Sequence, residues 1–349
     1  MNTEPNTELR RRWQPAVIAV LLLILAGCGY VTETSLLAPL AGQPFPGDWA
    51  FRQEITVTNT GAPLSDYSIR LRVDSSQTDF WNGIENDGRS IHFTGPDGTT
   101  PLPFFLDYFD YGGQTAILHV RVASLPTGDT TLYLYFGDSS ASSESNASAV
   151  FAFYDDFEDG DVSDWTDIPP GEVQFALDGS NGVLLKTSDS DPTGGYVTLP
   201  AALSGFEGIW RTNRINENGG AANRYALENA GENGYGPIIS NFGGSESFEI
   251  EERSGGAGST LTSDGSPPNL SQNTWYIVVF RRSGDTMDLD LYDESWALID
   301  SVPSATDATV GSFTRFVVRG GHDFWTDDIR IREYVSPDPT TTFGAVENL

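Results

Sequence analysis

Leu132-Tyr133-Leu134-Tyr135-Phe136 sets Leu132, Leu134 and Phe136 against Tyr133 and Tyr135, the two-residue period of a β-strand with one face on a core. Upstream the same period recurs in Ile69-Arg70-Leu71-Arg72-Val73 and in Ile55-Thr56-Val57-Thr58. Turn-forming groups lie between these runs: Asn59-Thr60-Gly61, Asp87-Gly88 and Asp97-Gly98. Downstream, residues 139–149 are small and polar and do not supply a core, so a domain boundary is expected there. Short strand candidates then resume at 183–186, 209–214, 224–227, 248–251, 275–281, 287–292, 313–318 and 328–331. Long helical periods are missing beyond the N-terminus, and the chain carries 37 glycines. The expectation is an all-β protein of two β-sandwich domains, 48–150 and 151–349.

The N-terminus reads as an export signal. Arg10-Arg11-Arg12 precede an apolar run from Ala16 to Leu25, too short for a permanent membrane helix, and small residues Ala26 and Gly27 follow. Leu25-Ala26-Gly27-Cys28 resembles a lipobox, in which Cys28 takes a diacylglyceryl group. Residues 1–27 are then a lipoprotein signal peptide, and 28–47, rich in proline and glycine, are a lipidated tether. Cys28 is the chain's one cysteine, so an internal disulfide is excluded. The expected location is the cell surface or outer membrane, with the membrane engaged through the lipid.

Nineteen basic against 49 acidic residues give a net charge of -30. A surface so acidic argues against nucleic acid as a partner. Lys186 is the single lysine, and the acidic residues are spread along the chain. This suits a fold adapted to high salt, where screening suppresses self-repulsion.

Residues 48–150 resemble the family called domain of unknown function 2341. The resemblance rests on Trp49-Ala50-Phe51-Arg52, Ile55–Asn59, Asp87-Gly88-Arg89-Ser90-Ile91-His92-Phe93, Leu102-Pro103-Phe104, Ala116–Val122 and Leu132–Gly137. Residues 151–349 resemble a laminin-G or concanavalin A-like jelly roll. Here the motifs are Phe153-Tyr154-Asp155-Asp156-Phe157-Glu158-Asp159-Gly160, Trp275–Val279 and Phe324–Ile331. The second resemblance implies that first and last strands pair, and that a structural Ca²⁺ sits where they meet. Ca²⁺ takes six to eight oxygen ligands, and Asp155, Asp156 and Asp159 from one end, with Asp327 or Asp328 from the other, would supply carboxylates.

Three further constellations were weighed. Trp210, Arg211, Asn213, Arg214, Arg224 and Tyr225, on two neighbouring strand candidates, offer aromatic faces and hydrogen-bonding groups for a sugar. Trp275 and Trp325 are expected to pack the core. Glu249 and Glu251, on one strand face with Ile250 opposite, are the pair a glycoside hydrolase would use, and an exposed acidic face is the expected reading of them. His92, His119 and His322 show no zinc spacing, and a Gly-x-Ser-x-Gly turn is missing. The chain is therefore expected to bind or adhere, with extracellular polysaccharide or a surface protein as ligand, rather than to catalyse. A purely structural spacer is the remaining reading.

Overall fold

The computed structural model describes residues 47–168, 170–187, 194–215, 222–240, 247–320 and 323–349. The signal segment, Cys28, nearly all of the tether and His322 lie outside them. Among the described residues no helix is long and apolar enough to cross a membrane.

The first part of the chain forms β1 (Phe51–Asn59), β2 (Leu64–Val73), a short helix α1 (Thr78–Gly83), β3 (Ile91–Thr94), β4 (Phe104–Asp110), β5 (Thr115–Leu125) and β6 (Gly128–Phe136). The second part forms β7 (Phe153–Asp155), β8 (Trp165–Ile168), β9 (Val173–Asp178), β10 (Asn181–Lys186), β11 (Gly194–Leu203) and β12 (Phe206–Arg214). It continues with β13 (Asn223–Glu228), β14 (Gly234–Ile239), β15 (Phe248–Ser254), β16 (Ala257–Ser263) and β17 (Tyr276–Ser283). The last strands are β18 (Thr286–Tyr292), β19 (Leu298–Thr306), β20 (Phe313–Gly320), β21 (Phe324–Glu333) and β22 (Thr340–Asn348). Each strand candidate named from the sequence coincides with one of these, with Trp275 alone falling just before β17, and the fold is all-β.

Four antiparallel sheets result. The first sandwich packs β22-β1-β6-β3 on β2-β5-β4, around Ile55, Val57, Ile69, Leu71, Leu118 and Leu134. The second packs β19-β18-β17-β12-β21-β10-β9, with β7 also on β21, against β16-β15-β14-β13-β20-β11-β8. Its core includes Phe206, Trp210, Tyr225, Phe280, Phe316 and Ile331.

Two features depart from the division drawn on the sequence. First, β22 does not belong to the second sandwich. It pairs with β1, Phe51 opposite Asn348 and Thr58 opposite Thr340, so the second sandwich is an insertion between β6 and the last strand of the first. Its threonines and short apolar positions give β1 a second hydrogen-bonded neighbour, which is why so polar a segment becomes a strand. Second, residues 139–149 are not a loose linker. Ser145 Oγ accepts from Leu106 N, Phe104 O accepts from Asn146 N, and Ala147, Val150 and Phe151 cluster with Phe105 and Tyr154.

The outer face of β2-β5-β4 meets the outer face of the larger sheet of the second sandwich, so the four sheets stack in layers. This seam is ionic. Arg332 donates to Ser68 O at 2.7 Å, to Asp338 Oδ2 at 2.6 Å and to Glu207 Oε1 at 2.8 Å. Arg281 donates to Glu207 Oε2 at 2.5 Å, and Tyr67 reaches out of the first core to Asp338 at 2.6 Å. Arg330 bonds Asp107, whose other oxygen lies 3.3 Å from His119 Nε2. Burial alone would push Glu207 up, but Arg332, Arg70 and Arg281 outweigh it and hold the carboxyl well below its ordinary value. Burial lowers His119 to about 3, so it is a neutral packing residue beneath Phe151.

Candidate functional site

The strand period decides where each candidate points. Along β12, Trp210 and Thr212 face inward. The Trp210 ring lies 4.7 Å from Tyr225 and 5.2 Å from Phe316 on the opposing sheet, and it is fully buried. Tyr225 donates to Thr212 Oγ1 at 2.6 Å. Neither ring is open to a sugar, so the expected glycan face does not assemble: Trp210 and Tyr225 are core, and β12 and β13 lie in different sheets. Arg224, on the outer side of β13, pairs with Glu251 at 3.1 Å, and Arg214 is buried.

Arg211 and Asn213 take the other parity, on the side of the sheet where Trp275 is buried, as expected, and Trp325 is only half-buried, contrary to expectation. Trp325, opposite Asn213, alternates with core Phe324, so its ring stands on the outer face, where it is half-buried. It stacks on Trp275, with ring centroids 6.1 Å apart and planes at 24°. The Arg211 guanidinium lies over the Trp275 ring at 4.6 Å. The turn between β9 and β10 leans across this face: Asp178 accepts from Trp275 Nε1 at 2.9 Å, and Asn181 donates to Asp327 Oδ2 at 2.9 Å. Asn213 is 2% exposed, and its Oδ1 lacks a hydrogen-bond partner among the described residues.

Beside this stack lies the junction of the opening and closing strands. β7 pairs with β21, Asp155 opposite Ile329, as the jelly-roll resemblance implied. Asp328 has φ +50°, and between the pairs Arg211–Asp327 and Ile209–Arg330 two β21 residues, Asp328 and Ile329, face the single β12 residue Trp210, which marks a bulge. The carboxylates there are engaged by protein donors. Asp155 accepts from Trp165 Nε1 and Phe157 N, Asp156 from Tyr154 OH, and Asp159 from Asp161 N. Asp327 accepts from Arg211 and Asn181, and Asp328 lies 3.5 Å from Arg211. Burial raises Asp155 to about 6, and burial together with neighbouring Asp327 raises Asp328 to about 6. Among the described residues no three His, Cys, Asp or Glu side chains are grouped to hold a metal ion. As they stand, these side chains do not form a calcium cage.

Glu249 and Glu251 do share one strand face, with Ile250 in the core, but they are not an open acidic surface. Glu251 is 2% exposed and held by Arg253 at 2.8 Å and Arg224 at 3.1 Å; Glu249 accepts from Ser247 and Thr260. A carboxylate closed in by two guanidiniums is not placed for acid or base work on a glycosidic oxygen.

Residues 87–168 match the model of a family described as a domain of unknown function (DUF2341), which bears out the resemblance over that part of the chain. An uncharacterized protein of Methanocaldococcus jannaschii is 30% identical over 192 residues, 53% of this chain and 19% of the relative, so this chain spans about a fifth of its length. Among solved structures, the carbohydrate-binding module CBM66 of Bacillus subtilis is similar at 16% identity and TM-score 0.38, over 49% of this chain and 96% of the module. Domain 4 of AbnA, an extracellular arabinanase of Geobacillus stearothermophilus solved with arabinotriose, is similar at 12% identity and TM-score 0.36, over 52% and 92%.

Proposed function

We propose that the chain is a glycan-binding surface protein, held at the membrane by lipid on Cys28, that grips extracellular polysaccharide with the outer face of its second sandwich. One observation carries this reading: Trp325 stands half-buried on the outer face of the sheet, stacked on the buried ring of Trp275, which Arg211 covers. Indoles gain most from burial, so a half-buried tryptophan on the solvent side of a sheet is a surface with spare stacking capacity. Sugar rings present C–H faces to such indoles and hydroxyls to their surroundings. Asp178 and Asn181, both partly exposed, supply polar groups around the stack.

The test is migration of the full-length chain through native gels cast with a panel of neutral and acidic polysaccharides. Retardation by at least one polymer, lost in Trp325→Ala with the melting midpoint unchanged, is the expected result. Equal migration of wild type and variant through every gel would overturn the proposal.

A further inference from the structure

We infer that the seam between the two sandwiches holds a second subsite, built for the carboxylate of a uronate-bearing glycan chain. The inference rests on the glycan-binding reading above and names the class of ligand. Arg70 and Arg72 are two apart on β2, so both project from the same face, towards the second sandwich. In a chain of 49 acidic and 19 basic residues, arginines readily find carboxylates, as Arg330 does in Asp107 and Arg332 in Glu207 and Asp338. Arg72 is exposed and, among the described residues, has no carboxylate within 4 Å; Asp74, two residues on, is its electrostatic neighbour. Arg70 reaches only Glu207, at 3.7 Å, and that carboxylate already serves Arg281 and Arg332. Two like charges side by side repel one another until an anion joins them.

The two guanidiniums open into a notch of about 140 Å³ whose other walls are Ile117, Tyr292 and Trp296. Tyr292 and Trp296 are a packed pair, centroids 5.5 Å apart. Arginine forks match a carboxylate, and an aromatic wall matches the face of the ring that bears it. Arg70 and Arg72 together also line a larger cleft of about 570 Å³, shared with the carboxylates Asp74 and Asp338 and with Thr340, Thr341 and Thr342, which gives room for sugar units beyond the one in the notch. Trp296 lines in addition a pocket with Arg211, the residue over Trp275. That pocket also holds Asp107, Glu294 and Asp328, with Arg211 paired to Glu294 and Asp328, so the carboxylate-binding groups are Arg70 and Arg72 and the stretch towards Trp325 suits neutral parts of the chain.

Full-length chain is titrated with polygalacturonate and with the same polymer after complete methyl esterification. Wild type is expected to bind the acidic form at least tenfold more tightly. Arg72→Gln is expected to bring the two affinities together at an unchanged melting midpoint, and Arg72→Lys to restore part of the difference. Equal wild-type affinity for both forms, binding of neither, or an undiminished preference in Arg72→Gln overturns the subsite. Trp325→Ala separates the two readings: it is expected to weaken both forms alike and leave their ratio intact. Unchanged binding in that variant, with the preference lost in Arg72→Gln, overturns the tryptophan platform and leaves the arginine subsite standing.

Discussion

At the scale of the residue, two tryptophans with similar sequence surroundings have opposite duties. Trp210 is wedged between Tyr225 and Phe316, so Trp210→Ala leaves a cavity and is expected to cost about 3–5 kcal/mol in denaturant unfolding. Trp325→Ala removes a half-buried ring and is expected to move the unfolding midpoint far less. Glu207 sits fully buried among Arg332, Arg281 and Arg70. Glu207→Gln leaves guanidiniums uncompensated, with an expected loss of about 3–5 kcal/mol by the same measurement. The sequence showed that Phe324 and Trp325, or Ile209 and Trp210, point to opposite sides. Which side holds the core depends on the facing sheet, and Tyr225 and Phe316 lie too far along the chain to announce it. The sequence reading grouped Arg211 and Asn213 with Trp210 on one sugar face, although strand parity sets them opposite it, and the half-buried place of Trp325 was not legible, because it depends on which side of β21 the facing sheet covers.

At the scale of the element, the pairing of β7 with β21 was legible through the jelly-roll resemblance that its motifs carry, and the closing role of β22 was not. Thr340–Asn348 has a weak apolar period, and its strand character comes from β1, nearly 300 residues earlier. A chain ending at Pro339 is expected to expose the edge of β1, lower the melting midpoint and associate with rising concentration in light scattering. The β7–β21 junction makes stability depend on pH. Burial pushes the Asp155 and Asp328 carboxyls up to about 6 in the folded chain, above the ordinary aspartate range. Their favourable share is therefore complete below the lower value and is lost as pH rises through the higher one. Lowering the pH from about 7 to about 5 is expected to raise the midpoint, and Asp328→Asn to flatten that rise. Glu207 acts oppositely: its contribution persists through this window and disappears only at far lower pH. Because Arg211, Trp165 and Asn181 already engage these carboxylates, Ca²⁺ added after chelation is expected to leave the midpoint in place. A large rise would show that the donors give way to the ion.

At the scale of the molecule, the seam between the two sandwiches is tied by buried ion pairs, while the net charge of the chain remains -30. The local pairs do not cancel that excess, so removal of salt is expected to lower stability as screening is lost. Circular dichroism along a dialysis series is the check. The stacking also turns one face of the second sandwich into the seam and leaves the Trp275–Trp325 end of that face beside it. The central claim is that this end grips a glycan. It is tested most directly by calorimetric titration of full-length wild type and Trp325→Ala with an oligosaccharide of whichever polymer retards the protein. The account predicts an affinity loss of at least about tenfold, or about 1.4 kcal/mol, with both proteins equally folded. Identical affinities would contradict it.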